Sequence, residues 1–269
     1  MTAARQLKPE DFSDTHHQVE VVEETESYIV IDNFLSAEQF QQMWNYFQVE
    51  VYTRVDAQGF DGKWLLEDGA AMRGPTIGYG EKRHAQFPTG AAIDFVMQGI
   101  LDNAHLFANL IGERPRDWDH FTAFPSLYPR HTGLLWHRDA EVNQGSYTFY
   151  GHPYWNIEWG GELLLADLDP KSIPTDWGTF MKKPEKLVGA PHGEMTWSNH
   201  LDNSQANQIL LERGVGYYVM PKPNRLAVIK GGTPHAVCKV REAAGNAVRA
   251  SVSGFFKKTT RAKPLSWLS

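Results

Sequence analysis

The feature that most constrains the fold is a succession of short β-like runs between Trp118 and Lys257. Each run is rich in β-branched or aromatic residues and is bounded by Gly, Pro or Asn. We predict strands at roughly 119–128, 133–139, 145–151, 161–168, 215–220, 225–230, 235–240 and 247–257. Short strands with turn signals between them favour a mainly β sandwich or jelly roll over a βαβ fold.

The chain before Trp118 is predicted to supply helices and loops. Residues 1–26 are polar, and we expect a loose leader or an edge segment, followed by a short strand at Tyr28–Ile31. Ser36-Ala-Glu-Gln39 has the form of a capping box and precedes apolar residues at helical spacing, which predicts a helix. A second helix is predicted from Ala91 to Ile111, ended by Gly112. The intervening chain is rich in Gly, which predicts loops and short strands.

One segment interrupts the β-rich region. Residues 169–214 are polar and hold four prolines, so we predict an insertion that serves as a lid. Beyond the leader, we expect a single domain over 27–269. Its helical and loop support spans 27–117, and its jelly-roll core spans 118–257.

The composition narrows the possible classes of protein. With 42% hydrophobic residues among 269, the chain can build a sizeable core. A formal charge of −6 provides no electrostatic footprint for nucleic acid. Cys238 is the single cysteine, which excludes an intrachain disulfide and a cysteine-based zinc cluster. There is no signal-like stretch and no apolar run of membrane-spanning length, so we expect a cytoplasmic protein without membrane or nucleic-acid partners. Its oligomeric state is left open.

The run Leu134-Leu-Trp-His-Arg-Asp-Ala140 places an imidazole and a carboxylate at the end of an apolar strand. In an extended strand, residues two positions apart project to the same face. His137 and Asp139 therefore point together, which makes them candidate metal ligands. Arg138 projects to the opposite side, where we expect a surface ion pair.

Two further matches to the H-x-[DE] pattern lie in the insertion. These are His192-Gly-Glu194 and His200-Leu-Asp202, and no strand is predicted there to hold either pair on one face. Spacing also counts against the second pair. Asp202 lies only 33 residues before His235, whereas several intervening strands of about 5 residues with turns require roughly 40. Asp139 lies 96 residues before His235, which leaves ample chain.

A third ligand and a cation follow downstream. His235 begins a predicted strand after a turn, a strand and a second turn. Two histidines and one carboxylate on a β scaffold form the facial triad of non-haem Fe(II) oxygenases. Arg249-Ala-Ser251 follows on the next strand, where Arg249 and Ser251 share a face. An arginine on an otherwise apolar strand indicates an anionic partner, and its planar fork suits a carboxylate.

This combination resembles the Fe(II)/2-oxoglutarate-dependent oxygenase superfamily. The flanking sequence is similar to its prolyl-4-hydroxylase-like branch, in the run from Tyr128-Pro-Arg-His to His137 and in Trp155-Asn-Ile-Glu-Trp-Gly-Gly-Glu-Leu-Leu164. The resemblance covers about 118–257 and implies a double-stranded β-helix. In the second run, Trp155 and Trp159 are expected to cover the barrel, and the Gly pair to form a tight turn or bulge.

The resemblance also implies chemistry. His137, Asp139 and His235 would be the catalytic metal ligands for Fe(II). Arg249 and Ser251 would bind the cosubstrate 2-oxoglutarate, with Tyr128 as a further contact or an ordinary core tyrosine. Dioxygen would be consumed, an unactivated C–H bond of a small molecule or amino acid hydroxylated, and succinate and CO2 released. Retention of the carboxylate ligand favours hydroxylation over halogenation, and desaturation or cyclisation stays open.

Three alternatives stay open beside this interpretation. The substrate could be a protein or peptide side chain, or the protein could be a non-catalytic jelly roll that binds metal or ligand. A zinc hydrolase would need a general base that the sequence does not indicate. Trp64, Arg73 and His84 are candidates for a substrate loop.

Overall fold

The computed structural model describes residues 18–55, 68–80, 82–139, 143–168, 210–212 and 214–259. The strands are β1 (Glu20–Glu24), β2 (Tyr28–Asp32), β3 (Thr53–Arg54), β4 (Met72–Arg73), β5 (Ile77–Tyr79), β6 (Ala85–Gln86), β7 (His120–Tyr128), β8 (Leu134–His137), β9 (Asn143–Tyr150), β10 (Leu163–Ala166), β11 (Gly216–Val219), β12 (Leu226–Lys230), β13 (His235–Val237) and β14 (Arg249–Lys257). The α-helices are α1 (Ala37–Val49), α2 (Ile93–Asp102) and α3 (Ala108–Ile111). Single 3-10 turns lie at Ala104–Phe107, Ile157–Trp159 and Glu242–Ala244.

Two sheets organise the described part of the chain. The larger sheet has the order β1-β2-β12-β9-β14-β7-β4-β3, with β5 beside β7 and β6 beside β5. The smaller sheet has the order β11-β10-β13-β8. Apolar residues of both sheets, among them Val30, Ala227, Leu163 and Leu165, form one buried cluster between them. This arrangement of two facing, largely antiparallel sheets confirms the predicted mainly β jelly roll.

The two faces of β14 have different roles. Ala250, Val252 and Phe256 point away from the smaller sheet and join the main hydrophobic core with α1 and α2. The alternate residues Ser253 and Phe255 line a cavity between the sheets. Because successive side chains of a strand point to opposite faces, one strand can serve both the core and the cavity.

Helix α1 begins as the sequence predicts. The Ser36 hydroxyl accepts a hydrogen bond from the Gln39 backbone N–H at 3.2 Å, and the Gln39 side chain accepts one from the Ser36 N–H at 3.1 Å. The capping box is therefore confirmed. The helix buries Met43 and Phe47 against the larger sheet.

The second predicted helix, over 91–111, is interrupted. Helix α2 ends at Asp102, and a 3-10 turn and the short α3 follow. The cause lies at Asn103, whose side-chain amide donates to the Gly99 carbonyl at 2.9 Å. An asparagine side chain that bonds the backbone locally competes with continuation of a helix. Gly112, with φ of +83°, ends α3 as predicted.

The predicted strands are all present, most of them with shorter bounds, although β9 begins two residues before its predicted start and β2 extends one residue past its predicted end. The strand predicted at 133–139 ends at His137, so Asp139 follows it rather than lying within it. Glu20–Glu24, inside the predicted leader, forms the edge strand β1 and pairs with β2. Residues 1–17 and nearly all of the predicted lid, 169–209 with Arg213, lie outside the described residues. Leu210–Glu212, the described end of that lid, is helical.

An ion-pair group ties β2 to the turn before β12. The buried Asp32 carboxylate accepts hydrogen bonds from Arg225 Nε at 2.6 Å and from Lys222 Nζ at 2.6 Å. Burial acts to raise the pKa of Asp32, but these two cations outweigh it and hold the pKa below its ordinary value. Among the described helices, none is long and apolar enough to cross a membrane.

Candidate active site

The three predicted metal ligands meet in the cavity between the sheets. One ligand atom from each of His137, Asp139 and His235 lies within 4.8 Å of the other two. Asp139 Oδ1 is 3.9 Å from His137 Nε2, and Asp139 Oδ2 is 3.6 Å from His235 Nε2. All three side chains are buried. Their convergence follows from sheet register, because His137 of β8 is the pairing partner of His235 of β13.

Backbone carbonyls orient both imidazoles. His137 Nδ1 lies 2.8 Å from the Leu135 carbonyl oxygen, and His235 Nδ1 lies 2.8 Å from that of Thr233. A carbonyl oxygen can only accept a hydrogen bond, so the neutral ring carries its proton on Nδ1. Each Nε2 therefore presents a lone pair toward Asp139. Two oriented imidazoles and one buried carboxylate are a donor set that suits Fe(II).

Arg249 lines the same cavity and is only 2% exposed. Its Nε donates to the Gly161 carbonyl oxygen at 3.0 Å, and its Nη1 donates to the Ser251 hydroxyl at 3.3 Å. Within the described residues no carboxylate lies within ion-pair distance of this guanidinium. A buried cation in a neutral setting is costly unless an anion binds beside it. The residues present therefore fit a carboxylate ligand.

The glycine pair of the run that begins at Trp155 forms a turn that packs closely against Arg249. Gly160 and Gly161 both have positive φ, at +76° and +77°. A Cβ on Gly160 would lie 2.3 Å from the Lys239 carbonyl oxygen, and one on Gly161 would lie 3.0 Å from Arg249 Cδ. The Trp155 indole donates to the Gly160 carbonyl at 2.8 Å and holds the turn. The pair thus combines a tight turn with close approach to the guanidinium.

Two tyrosines flank the guanidinium. The predicted contact Tyr128 lines the cavity, with its ring centre 5.3 Å from Arg249 Cζ. Burial raises the pKa of Tyr128 above its ordinary value, so its hydroxyl is neutral at neutral pH. The sequence did not single out Tyr150, whose ring centre lies 4.9 Å from Arg249 Cζ. Its hydroxyl is buried, and Tyr150 is not among the described residues that line the cavity.

Asp68 is a second residue that the sequence did not indicate. Its side chain is fully buried, and its Oδ1 accepts a hydrogen bond from the Leu135 N–H at 2.7 Å. Its backbone carbonyl accepts from the Gly133 N–H at 2.9 Å. Leu135 is also the residue whose carbonyl orients His137, so Asp68 fixes the strand that carries the first candidate ligand.

Other sequence expectations have mixed outcomes. Arg138 is 8% exposed, so the expected surface position is wrong, because β8 ends at His137 and strand alternation no longer sets the direction of the next side chain. Arg73 lines the cavity, whereas His84 is exposed and is absent from its described lining. Trp64 and both alternative H-x-[DE] pairs lie outside the described residues.

Solved structures share this arrangement of elements. A prolyl-4-hydroxylase from Pseudomonas putida matches over 87% of this chain and 93% of its own, with 16% identity and a TM-score of 0.50. A prolyl hydroxylase from Trichoplax adhaerens, in complex with a hypoxia inducible factor oxygen degradation domain peptide fragment, matches over 87% and 84%, with 16% identity and a TM-score of 0.50. The chain has the fold of these hydroxylases. No family model and no curated protein sequence matches it.

The fold shared with these hydroxylases supports the predicted double-stranded β-helix. Its two sheets surround the cavity, which encloses an empty volume of about 730 Å³ with its mouth included. The candidate ligands project from the smaller sheet and its loop, and the guanidinium projects from the larger one.

Proposed function

We propose that this protein is an Fe(II)- and 2-oxoglutarate-dependent dioxygenase that hydroxylates an unactivated C–H bond of a small molecule or amino acid. The observation that carries the proposal is the joint presence, in one cavity, of the histidine, aspartate and histidine cluster and a buried arginine. A metal site alone would not require the guanidinium. An anion site alone would not require two imidazoles with their Nε2 atoms directed at a carboxylate.

His137, Asp139 and His235 would hold Fe(II) from one side and leave its other positions open to the cavity. When bound, Fe(II) would activate dioxygen as the oxidant: 2-oxoglutarate would supply two electrons on its conversion to succinate and CO2, and the substrate C–H bond would supply the other two, so that one oxygen atom enters succinate and the other the hydroxyl group. The carbonyl partners of both rings keep each Nδ1 protonated, which prevents rotation of the ligands away from the metal. This orientation is built into the protein before any metal binds.

Arg249 would hold the distal carboxylate of 2-oxoglutarate. Its Nε is committed to Gly161, so the fork is fixed in direction and Nη1, beside the Ser251 hydroxyl, faces the ligand. Tyr128, which lines the cavity with its ring centre 5.3 Å from Arg249 Cζ, would be a further contact of the cosubstrate. Burial of the whole group excludes water and strengthens the pairing of guanidinium and carboxylate.

A peptide side chain is the second candidate substrate. It is favoured by one observation, the peptide fragment bound to the Trichoplax adhaerens hydroxylase of the same fold. Both candidates use the same metal and cosubstrate residues. They differ in whether free small molecules or only peptides accelerate the release of succinate.

The test begins with anaerobic addition of Fe(II) and 2-oxoglutarate to the purified protein. We expect a weak visible charge-transfer band, and in air a slow release of succinate that a true substrate accelerates. His137→Ala should lose both signals. The control is His131→Ala, which also removes a histidine but at a surface ion pair with Glu242, where the imidazole is 71% exposed. Absence of the band and of succinate from the unmutated protein would refute the proposal and leave a binding protein or a hydrolase.

A further inference from the structure

His152 is a buried histidine that the candidate metal site does not use. It lies just beyond the end of β9 and is 1% exposed. Its Nε2 lies 2.7 Å from the Pro221 carbonyl oxygen, and its Nδ1 lies 3.2 Å from the Ala250 carbonyl oxygen. Both ring nitrogens therefore face the backbone, unlike those of the two histidines in the candidate triad. This arrangement suits a residue that holds backbone segments in place.

The contacts of His152 indicate where its proton lies. A carbonyl oxygen can only accept a hydrogen bond, and a neutral imidazole has one N–H to donate. The shorter contact indicates that Nε2 donates to Pro221. The Ala250 carbonyl accepts a separate hydrogen bond from the Gly151 N–H at 2.9 Å, so it does not depend on His152 for a donor. The ring is thus anchored in the turn before β12.

The His152 ring lies close to the guanidinium of Arg249 and has no charge at neutral pH. The Tyr150 ring centre is 6.1 Å from that of His152 and 4.9 Å from Arg249 Cζ. Burial, and to a smaller extent the positive charge of Arg249, lower the pKa of His152 to about 4. A neutral imidazole can pack beside the arginine without repelling it.

His152 packs on the indole of Trp155. Their ring centres are 4.7 Å apart, and the Trp159 ring meets Trp155 edge-on at 5.3 Å. With a neighbour on each side, the indole is held in one orientation. In that orientation its N–H donates to the Gly160 carbonyl at 2.8 Å. The anchored imidazole therefore helps to set the direction of this hydrogen bond.

The glycine turn connects Trp155 to Arg249. Gly160 and Gly161 both have positive φ, and glycine loses more conformational freedom on ordering than any other residue. The turn therefore depends on the groups that hold it. Trp155 holds the Gly160 carbonyl, and the next carbonyl, that of Gly161, accepts from Arg249 Nε at 3.0 Å. A shift of the indole would move the acceptor that directs the guanidinium.

We propose that His152 is a positioning residue for the distal carboxylate of 2-oxoglutarate. Anchored at Pro221, it holds Trp155 against the glycine turn, and the turn directs the fork of Arg249. The inference rests on the proposed function, because it concerns the binding of the same cosubstrate. It assigns His152 no contact with the metal ligands, so its effect should be confined to ligands that use the guanidinium.

The experiment compares two 2-oxo acids that differ in the distal carboxylate. 2-Oxoglutarate and pyruvate offer the same 2-oxo carboxylate to the metal, but pyruvate has no second carboxylate for Arg249. Anaerobic titration of the Fe(II)-loaded protein, followed at the charge-transfer band, gives the Kd of each acid. We expect His152→Ala to raise the Kd of 2-oxoglutarate about tenfold, as for loss of one hydrogen bond to a charged group, with the Kd values of pyruvate and Fe(II) within about twofold. An unchanged Kd of 2-oxoglutarate, or equal weakening of both acids, would overturn the proposal.

Two further variants test the route through Trp155. His152→Gln keeps an N–H donor for the Pro221 carbonyl and should restore most of the affinity for 2-oxoglutarate. Trp155→Phe keeps a ring but removes the indole N–H, and should weaken 2-oxoglutarate selectively, as His152→Ala does. Because the two residues act in series, the double variant should bind 2-oxoglutarate no more weakly than the weaker single variant. Additive losses would refute the route through Trp155.

His120→Ala is the matched control. It also removes a largely buried imidazole, 12% exposed and bonded to Asp119, but His120 is outside the described lining of the cavity. Both acids should keep their Kd values in this variant, and selective weakening of 2-oxoglutarate here would overturn the assignment to His152. If His152→Ala does not melt cooperatively, His152→Phe takes its place, because it keeps the volume and removes the N–H. It should show the same selectivity.

Two outcomes separate this inference from the proposed function. If the unmutated protein gives the band and binds both acids, but the His152 variants show no selectivity, only the role of His152 is refuted. If neither acid gives a band with the unmutated protein, the failure is that of the proposed function.

Discussion

Replacing Gly161 by alanine tests how the larger sheet holds the cosubstrate. Gly161 has φ of +77°, where an L-residue is disfavoured by roughly 1–2 kcal/mol. The new Cβ would also lie 3.0 Å from Arg249 Cδ and 3.3 Å from Trp155 Cζ2. We expect the arginine to move, which would break its 3.0 Å hydrogen bond to the Gly161 carbonyl.

The magnitude follows from that bond. A hydrogen bond to a charged group contributes about 1.5–3 kcal/mol, and about 1.4 kcal/mol corresponds to a factor of ten in affinity. Gly161→Ala should therefore raise the Kd of 2-oxoglutarate about 10- to 100-fold. The assay is an anaerobic titration of the Fe(II)-loaded protein with 2-oxoglutarate, followed at the charge-transfer band. The affinity for Fe(II) itself should be unchanged, because none of the three candidate ligands moves.

A second glycine separates backbone strain from displacement of the arginine. Gly245 also has positive φ, at +59°, but a Cβ there meets no atom within 4 Å. Gly245→Ala should lower the melting temperature through the same kind of strain and leave the Kd of 2-oxoglutarate unaltered. If Gly161→Ala also leaves that Kd unaltered, then Arg249 does not anchor the cosubstrate in the way the geometry indicates.

Two further substitutions test residues outside the ligand set. Asp68→Ala should weaken Fe(II) binding about tenfold, because loss of one buried hydrogen bond of about 1.4 kcal/mol frees the strand that orients His137. Asp68→Asn keeps an acceptor for the Leu135 N–H and should restore the affinity. Equal Fe(II) affinity in both variants would contradict this role of Asp68. Asp32→Asn should lower the free energy of unfolding of the metal-free protein by about 3 kcal/mol at neutral pH, because it leaves the Arg225 charge without its partner. The pKa of Asp32 is held below its ordinary value of 3.8. The difference in free energy of unfolding between the two proteins should therefore be complete above pH 3.8 and shrink as the pH falls through the lowered pKa. A pH-independent difference between their melting temperatures would contradict the ion pairing of Asp32.

Much of the fold could be predicted because its signals are local. Alternating apolar residues and turn residues indicate a strand wherever they occur, and the capping box at Ser36 marks a helix start within four residues. The bounds of the helices were harder to predict. Helix α2 ends where the Asn103 side chain donates a hydrogen bond to the Gly99 carbonyl instead of to solvent, and the spacing of apolar residues does not indicate this bond.

The site residues likewise differ in whether a local sequence pattern indicates them. His137 and Asp139 are close in sequence, and their pattern is visible before any folding is considered. Asp68 is 67 residues from the amide that it binds, in a glycine-rich stretch without periodicity, so no local pattern could have indicated it. Tyr150 reads as one more aromatic residue of a buried strand, and no local pattern shows that its ring centre lies 4.9 Å from Arg249 Cζ.

The alternation along β14 has a consequence for how such a protein can change over evolutionary time. Ser253 and Phe255 line the cavity, while their neighbours Val252 and Phe256 pack in the main hydrophobic core. Mutations at the first pair can reshape the cavity while the packing that keeps the protein folded is left intact. Selection for a new ligand can therefore act on one side of this strand without lowering the stability that the other side maintains.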